Sequence, residues 1–227
     1  MKELEIIESI KDKPIFSIQT IQRIGNFSKE YSKLIINRLI KRKSIKRVGK
    51  NKYTTNNDIF VIASNIHTPS YISFWSASYY YGFSEQILST IFVASSKKFK
   101  EIAFEGYIIK FLPANIFGYK KIVSNNGEIF IAEHEKLIID IFKHYKAIGN
   151  FDEIEKIFKK SLINKKKIID YLKITNENST IKRVGFMLEK YKQIDIHGYF
   201  NLDSNYCNLN PFSKKYNTLN SKWRLKI

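Results

Sequence analysis

The spacing of the apolar residues changes once within the first 56 residues, from a helical period to the alternation of a strand. Up to residue 42, apolar residues recur every three or four positions, which predicts three helices. The first contains Leu4, Ile7 and Ile10, the second runs from Ser17 to Ile24, and the third runs from about Lys29 to Arg42. This succession restricts the N-terminal fold more than any other feature of the sequence.

The connections between these segments carry the residues that turns require. A Gly25-Asn26 turn separates the second helix from the third, because both residues tolerate a positive φ. Residues 44–48 then alternate like a strand, residues 49–52 form a turn that begins with glycine, and residues 53–55 predict a returning strand. Three helices followed by a hairpin, in this order, are typical of a winged helix-turn-helix, here predicted for residues 1–56.

The excess of positive charge is concentrated in this N-terminal segment. The 227 residues carry a formal charge of +18, and residues 1–56 hold 14 Lys+Arg against 5 Asp+Glu. Between Ser28 and Lys52 there are ten basic residues and one acid, Glu30. An AT-rich genome would explain abundant lysine, but not three arginines in the same window. An electropositive module beside a more balanced body indicates a polyanionic partner.

Double-stranded DNA is the partner that these features predict. The polar side of the third helix would enter the major groove, and the hairpin would lie along the phosphates. Ser28 precedes the helix as its N-cap. The predicted DNA-binding residues are Ser28, Lys29, Tyr31, Ser32, Lys33, Asn37, Arg38, Lys41 and Arg42 of the helix, with Lys46, Arg47, Lys50 and Lys52 of the hairpin. The alternative is a winged helix that contacts only proteins, which accounts less well for the shared sign of charge.

The remaining residues, 57–227, predict an α+β domain with helices flanking a small, mostly antiparallel sheet. Helices are predicted at 58–66 and 71–81, five short strands between 89 and 131, and four helices between 133 and 191. An irregular end with a terminal hairpin follows, and its basic tail offers further contacts to phosphates. The tail cations are Lys214, Lys215, Lys222, Arg224 and Lys226.

Several other classes of protein fit the sequence poorly. Residues 59–84 hold no formal charge, but their many polar side chains argue against a membrane span. The acidic N-terminus lacks the apolar run of a signal peptide, and a single cysteine fits a reducing compartment, so we predict a cytoplasmic protein. No zinc spacing and no Gly-rich phosphate loop occurs, so neither a metal nor a cofactor is expected.

One stretch, 133–136 (Glu-His-Glu-Lys), could belong to a nuclease site. A partner acid would have to be Glu105 or Glu128, and the adjacent Glu135 and Lys136 would not point the same way in a strand. Acids in the first turn of a helix, where its dipole favours them, explain the stretch better. We therefore predict a protein that is not an enzyme, with a nuclease as the alternative.

Three sequence blocks of the second part, together with the N-terminal segment and the terminal Lys222-Trp223, resemble the AbiEi family. These are antitoxins and transcriptional regulators of type IV toxin–antitoxin and phage-abortive systems. The chain departs from this family at two positions. Lys43 stands where many such winged helices have glycine before the wing, and His134 stands where family members often have proline or a small residue. The three blocks are Tyr71–Ala77 with Tyr81–Gln86, Ile131–Asp140 and Lys182–Glu189.

The resemblance implies a DNA-binding domain that represses its own operon at inverted repeats, on which a homodimer is one compatible arrangement. It also implies a second domain that counteracts a cognate nucleotidyltransferase-like toxin. The sequence thus predicts a sequence-specific transcriptional regulator of the AbiEi antitoxin type. A stand-alone repressor without a toxin is a further alternative.

Overall fold

The computed structural model describes residues 3–85, 87–145, 149–213 and 215–227, and shows an α+β fold. It comprises two compact units, each built from several stretches of the chain. The boundary predicted after residue 56 stays a prediction, because compactness does not show which segments fold independently. The first unit comprises Met1–Ile72, Ser89–Pro113 and Lys121–Ile131, and the second comprises Ser73–Leu88, Ala114–Lys120 and Ala132–Ile227.

The first unit begins with three helices and a hairpin at the predicted positions. The elements are α1 (Glu3–Ile10), α2 (Ile18–Gly25), α3 (Lys29–Lys41), β1 (Lys46–Gly49) and β2 (Lys52–Thr54). They share one apolar core, which includes Ile21 of α2, Leu39 of α3 and Tyr53 of β2. Tyr53 also forms an antiparallel bridge with Phe16, through two N–H to O contacts of 2.9 Å. The hairpin therefore gains a short third strand from the chain between α1 and α2.

The apolar residues whose spacing predicted α1 do not all lie on its buried side. Leu4 is 77% exposed, whereas Ile6 and Ile10 are buried. Ile6 and Ile10 lie four positions apart and so share a side of the helix. Ile7 lies partly buried against the same core.

The α2–α3 connection and the α3–β1 connection each contain one residue in the left-handed region. Asn26 ends α2 with φ of 50°, as the turn prediction requires. Lys43 follows α3 with φ of 57°. Its N–H donates to the Ile40 carbonyl at 2.9 Å, and that of Ser44 donates to the Leu39 carbonyl at 3.0 Å. These two bonds form a Schellman motif, whose left-handed position is usually glycine.

The rest of the first unit contains a six-stranded sheet rather than a small, mostly antiparallel one. Its order is β5-β6-β4-β3-β8-β7. β3 and β5 pair antiparallel with β4 and β6, whereas β4–β6 and β3–β8 are parallel pairs, so the sheet is mixed. The elements are α4 (Ile59–Asn65), β3 (Ser70–Ile72), β4 (Thr90–Ser95), β5 (Ile102–Phe104), β6 (Tyr107–Pro113), β7 (Tyr119–Ser124) and β8 (Gly127–Ala132).

The predicted helix over 71–81 is only partly correct. Tyr71 and Ile72 lie in β3, and α5 (Phe74–Tyr80) begins after Ser73. Both Tyr71 and Ile72 are completely buried, which suits a strand between two neighbours in a sheet. Their apolar side chains fit either a buried strand or a buried helix, so spacing alone does not separate the two.

The second unit is mostly helical, and α6 lies at its centre. This helix contacts α5, α7, α8 and α9. A three-stranded sheet near the C-terminus follows a 3₁₀ helix at His197–Tyr199, and the predicted terminal hairpin corresponds to β10 and β11. The remaining elements are α6 (His134–Lys143), α7 (Phe151–Lys160), α8 (Lys165–Thr175), α9 (Asn178–Lys192), β9 (Cys207–Asn208), β10 (Leu219–Asn220) and β11 (Leu225–Lys226).

Among the described residues, every helix is too short or too polar to cross a bilayer. The uncharged stretch 59–84 divides into α4, β3 and α5, none of them longer than seven residues.

Candidate nucleic-acid interface

The helix α3 has one side in the core and one side open to solvent. Ile35, Ile36 and Leu39 are buried together in the core of the first unit. The exposed residues from Lys29 round to Tyr31 cover an arc of about 200°, taking 100° per residue. The helix is thus anchored on one side and free to meet a partner on the other.

Cations dominate this open side, which we call the α3 basic face and define as Lys29, Lys33, Asn37, Arg38 and Lys41. All five side chains are exposed. Within the part of the chain that the structure describes, no carboxylate lies within 4.0 Å of the charged groups of the four cations. Glu30 is the one acid on the exposed arc. The face can therefore offer its positive charge to an anionic partner.

Two serines among the predicted DNA-binding residues form hydrogen bonds at the start of α3. The Ser28 hydroxyl accepts a hydrogen bond from the Tyr31 N–H at 3.2 Å, as expected of an N-cap. Ser32 is completely buried, and its hydroxyl donates to the Ser28 carbonyl at 2.9 Å. The prediction that Ser32 lies on the exposed face is wrong, because it falls on the core side of the helix. Tyr31 is 43% exposed, and its ring meets that of Phe27 edge-on at 5.1 Å.

Arg42, at the end of α3, forms an ion pair with Glu3 of α1. The Arg42 side chain is 67% exposed and that of Glu3 26%, so this surface pair contributes little to stability. The Glu3 carboxylate nevertheless lies beside Arg42, which is one of the predicted DNA-binding residues. The exposed Lys43, whose charge was also expected to serve a phosphate, has no carboxylate partner within 4.0 Å among the described residues.

The tip of the hairpin is fixed to α2. Asn51, at φ of 54°, accepts a hydrogen bond from the Ile18 N–H at 3.0 Å through its side-chain oxygen. Its amide group donates to the Gln19 side chain at 2.7 Å. Arg47 and Lys50 remain exposed beside it, and the Arg47 Nε donates to the Gly49 carbonyl at 3.3 Å. The hairpin thus presents two cations on a tip of defined position.

The other two hairpin lysines contact protein rather than open solvent. The Lys46 ammonium pairs with Glu105 at 2.9 Å. Lys52 donates to the Ile66 carbonyl, and its Nζ lies 3.4 Å from Nδ1 of His67. Burial lowers the pKa of Lys52. The expectation that all four hairpin cations lie along a DNA backbone therefore needs correction, since Lys46 and Lys52 contact the rest of the first unit.

The His67 ring lies in an aromatic setting next to Lys52. It stacks on Phe99 at 3.7 Å between ring centroids and meets Phe111 edge-on at 4.9 Å. Burial, and then the charge of Lys52, lower the pKa of His67 to about 4. A neutral imidazole, with Nδ1 as the acceptor, matches these neighbours.

The stretch 133–136 forms contacts within the second unit. Glu133 accepts a hydrogen bond from the Tyr171 hydroxyl at 2.6 Å and pairs with Lys167 at 2.9 Å. Burial would raise the pKa of Glu133, but the bonds from Tyr171 and Lys167 outweigh it and lower the pKa. Glu135 is buried and accepts from the Asn164 N–H at 2.7 Å. These two acids hold α8 and the connection before it.

The two other residues of this stretch also face protein. Nδ1 of His134 accepts a hydrogen bond from the Leu162 N–H at 3.1 Å. Lys136 is buried and forms an ion pair with Asp140, which in turn accepts from the Ser73 hydroxyl at 2.8 Å. Within the described ranges, no group of three or more His, Cys, Asp or Glu side chains is placed to hold a metal ion.

The basic tail is only partly open. Lys222 pairs with Glu189 at 2.9 Å and with Asp195 at 2.8 Å. Lys226 lies over the Tyr216 ring, 5.1 Å from its centroid, whereas Lys215 and Arg224 are exposed. Lys214 lies outside the described residues.

Two interface residues were not found by sequence reasoning. Asn51 fixes the hairpin tip through its bond to α2. Glu105, 59 positions further along the chain than Lys46, forms an ion pair with it. An asparagine at a hairpin turn is a recognisable signal for a positive φ, but not for its tertiary contacts. Nothing in the local sequence pairs Glu105 with Lys46.

Comparison with known proteins supports the fold and leaves the function open. No family model matches the chain, and no curated protein matches it. Its structure is similar to the crystal structure of the RV2827C protein from Mycobacterium tuberculosis, with a TM-score of 0.63 and 9% sequence identity. The similarity covers 98% of this chain and 89% of that chain. At this identity it shows a common fold alone.

Proposed function

We propose that residues 1–56 form a winged helix-turn-helix that binds double-stranded DNA, and that the protein is a sequence-specific transcriptional regulator. One observation carries this proposal. The α3 basic face holds four exposed cations without a carboxylate partner among the described residues, while the opposite side of the helix packs into the core. A protein that used this surface only to contact neutral protein would gain nothing from such a concentration of like charge.

The dimensions of the helix suit the proposed binding mode. An α-helix with its side chains is about 10–12 Å across, and the major groove of B-DNA is about 12 Å wide. Asn37 can form a bidentate pair with adenine and Arg38 with guanine. Lys29, Lys33 and Lys41 would neutralise phosphates, as would the exposed Arg47 and Lys50 of the hairpin.

A salt titration tests the electrostatic part of this mechanism. With five or six phosphate contacts, the logarithm of the association constant should fall against the logarithm of salt concentration with a slope of about −5. The double variant Arg47→Glu/Lys50→Glu should weaken binding to every duplex and flatten the slope. Lys97→Glu/Lys98→Glu, which changes the charge equally at two exposed lysines that belong neither to α3 nor to the hairpin, is the matched control. A flat salt response of the unaltered protein would reject the proposal.

Sequence selectivity is tested separately by selecting duplexes from a random pool. Asn37→Ala should change which sequences are selected more than it changes overall affinity, with about 1–3 kcal/mol of discrimination lost at one base pair. An unchanged selection profile would mean that Asn37 contacts phosphates or does not contact the DNA at all.

Incubation of the protein with Mg²⁺ and a labelled duplex tests the nuclease alternative. Cleavage that is lost in Glu133→Gln would contradict a purely regulatory role.

The narrower proposal is that this regulator is the autorepressing antitoxin of a type IV toxin–antitoxin system. The resemblance of the three sequence blocks to the AbiEi family supports it. Co-expression with a neighbouring nucleotidyltransferase-like reading frame is the test. Relief of toxicity would support the antitoxin role, and the absence of such a frame, or toxicity without relief, would favour the stand-alone repressor.

A further inference from the structure

A second concentration of lysine lies on α8, where it borders a cavity of about 330 Å³. The cavity is lined by Lys165, Lys166, Ile169, Asp170, Lys173 and Tyr199. Five of these residues share one side of α8, because they follow the spacing of three and four positions, and Tyr199 belongs to the nearby 3₁₀ helix. The volume is at the lower end of that found for small-ligand sites.

The three lysines of this cavity are exposed, and no carboxylate lies within 4.0 Å of their ammonium groups among the described residues. Lys165 and Lys166 stand in the first turn of α8, which contains no acid. Cations at that end of a helix oppose its dipole. Helix stability therefore does not explain their position, whereas an anionic ligand in the cavity would offset the repulsion.

The other lining side chains are not those of a simple phosphate site. Tyr199 is 53% exposed, and the Lys165 ammonium lies 5.7 Å from its ring centroid. Because about half of the Tyr199 side chain is exposed, its ring has surface left for a ligand beside the Lys165 ammonium. Asp170 adds an exposed carboxylate, which repels phosphate but accepts hydrogen bonds from an amino or hydroxyl group. A ligand that fits all of these groups has an anionic end, an aromatic ring and a hydrogen-bond donor.

We propose that this cavity binds one nucleotide, with its base on Tyr199 and its phosphate among Lys165, Lys166 and Lys173. Free nucleotides and the nucleotides of a single strand share this chemistry. The site is independent of the duplex-binding surface proposed above and goes beyond it.

Binding of a fluorescein-labelled single strand of eight thymidines to the full-length protein, with AMP and inorganic phosphate as competitors, tests the proposal. Tyr199→Leu keeps an apolar side chain but removes the ring, and should weaken binding about tenfold. Lys173→Gln should reduce the salt slope by about 0.7. Tyr216→Leu is the matched control, because Tyr216 is also exposed and also carries a lysine ammonium over its ring.

Competition by AMP identifies the free nucleotide as a ligand, and binding of the strand alone identifies nucleotides within a single strand. Either result, together with loss in Tyr199→Leu, supports the proposal. Binding that Tyr199→Leu and Tyr216→Leu reduce equally, competition by phosphate as strong as that by AMP, or no binding of either ligand would overturn it. Duplex affinity measured in parallel keeps the two proposals apart, because a protein that binds AMP but no duplex contradicts only the first.

Discussion

The Lys46 ammonium of the hairpin donates a hydrogen bond to the Glu105 carboxylate, 2.9 Å away at the turn between β5 and β6. Glu105 stands in the left-handed region with φ of 48°, and Gly106 follows it with φ of 81°. The hairpin is thus connected by an ion pair to the six-stranded sheet of the same unit. Because the carboxylate pairs with a cation next to Arg47 of the proposed DNA-binding surface, it should limit the affinity for duplex DNA.

Substituting Glu105→Gln should therefore strengthen duplex binding. Lys46 would be released to meet a phosphate, so the salt slope should become steeper by about 0.9, the value of one additional contact. The affinity at about 0.1 M salt should rise severalfold for specific and non-specific duplexes alike, because a phosphate contact carries no sequence information. Salt-dependent anisotropy titrations of both duplexes measure these changes.

Glu101→Gln is the control for this substitution. Glu101 is exposed near the start of β5 and pairs with Lys110 at 3.1 Å, so the variant removes the same charge without freeing a hairpin cation. An equal gain in both variants would mean that overall charge, and not the Lys46–Glu105 pair, determines the affinity.

Lys43→Gly should stabilise the fold. A residue other than glycine costs about 1–2 kcal/mol in the left-handed region, while glycine loses about 0.5–1 kcal/mol more backbone entropy on folding. The net gain in the free energy of unfolding should be roughly 0.5–1 kcal/mol, measurable by urea denaturation. Lys43→Ala, which keeps the strained φ and loses the charge, should not share this gain. If both variants are equally stable, then removing the charge explains the effect and the backbone does not.

Local sequence patterns predicted most helices and the hairpin, because capping and turn chemistry act over a few residues. Ser28 and Asn26 are examples, since each does locally what its residue type favours. Strand partners were predicted less well. β4 pairs in parallel with β6. Such a pairing depends on tertiary folding, and the local spacing of apolar residues does not predict it.

The candidate interface shows the same division. Helical periodicity separated the open side of α3 from its core side, with Ser32 as the exception. It could not show that Arg42, Lys46 and Lys52 meet partners, because Glu3, Glu105 and Ile66 are brought to them by tertiary folding. Charge density in a sequence therefore overestimates the number of cations that remain open to a ligand.

Acid should destabilise the first unit through His67. The pKa of His67 is lowered to about 4 in the folded chain by burial and then by Lys52, but the imidazole titrates near 6.5 when unfolded. Between these values the unfolded chain binds the additional proton, so the free energy of unfolding falls as the pH falls. The stability is fully present above about pH 6.5 and is lost progressively towards pH 4.

Urea unfolding from pH 7.5 to 4 measures this dependence, and His67→Phe should reduce its slope while keeping the stack on Phe99. Some slope should remain, because burial also lowers the pKa of His134 and so acts in the same direction. A variant whose stability falls with acid as steeply as that of the original chain would show that His67 is not the group that titrates.

The indole of Trp223 lies directly against Gly185 in α9. A methyl group at Gly185 would come within 2.1 Å of the ring, which is completely buried and cannot move into solvent. The indole N–H also donates to Glu189 at 2.7 Å, one turn further along the same helix. Residues 182–189 of α9 and the C-terminal residues 222–223 therefore meet at one contact that only glycine permits.

Gly185→Ala should accordingly destabilise the second unit, although alanine favours a helix by about 1 kcal/mol over glycine. Overpacking of a rigid core costs about 1–3 kcal/mol, and a contact this short falls at the upper end, so we expect a net loss of roughly 1–2 kcal/mol in thermal or urea unfolding. Gly198→Ala is the matched control, because nothing lies within 4 Å of a methyl group there. Trp223→Leu should remove the penalty of Gly185→Ala in the double variant, and a penalty that persists in full would place the strain elsewhere in α9.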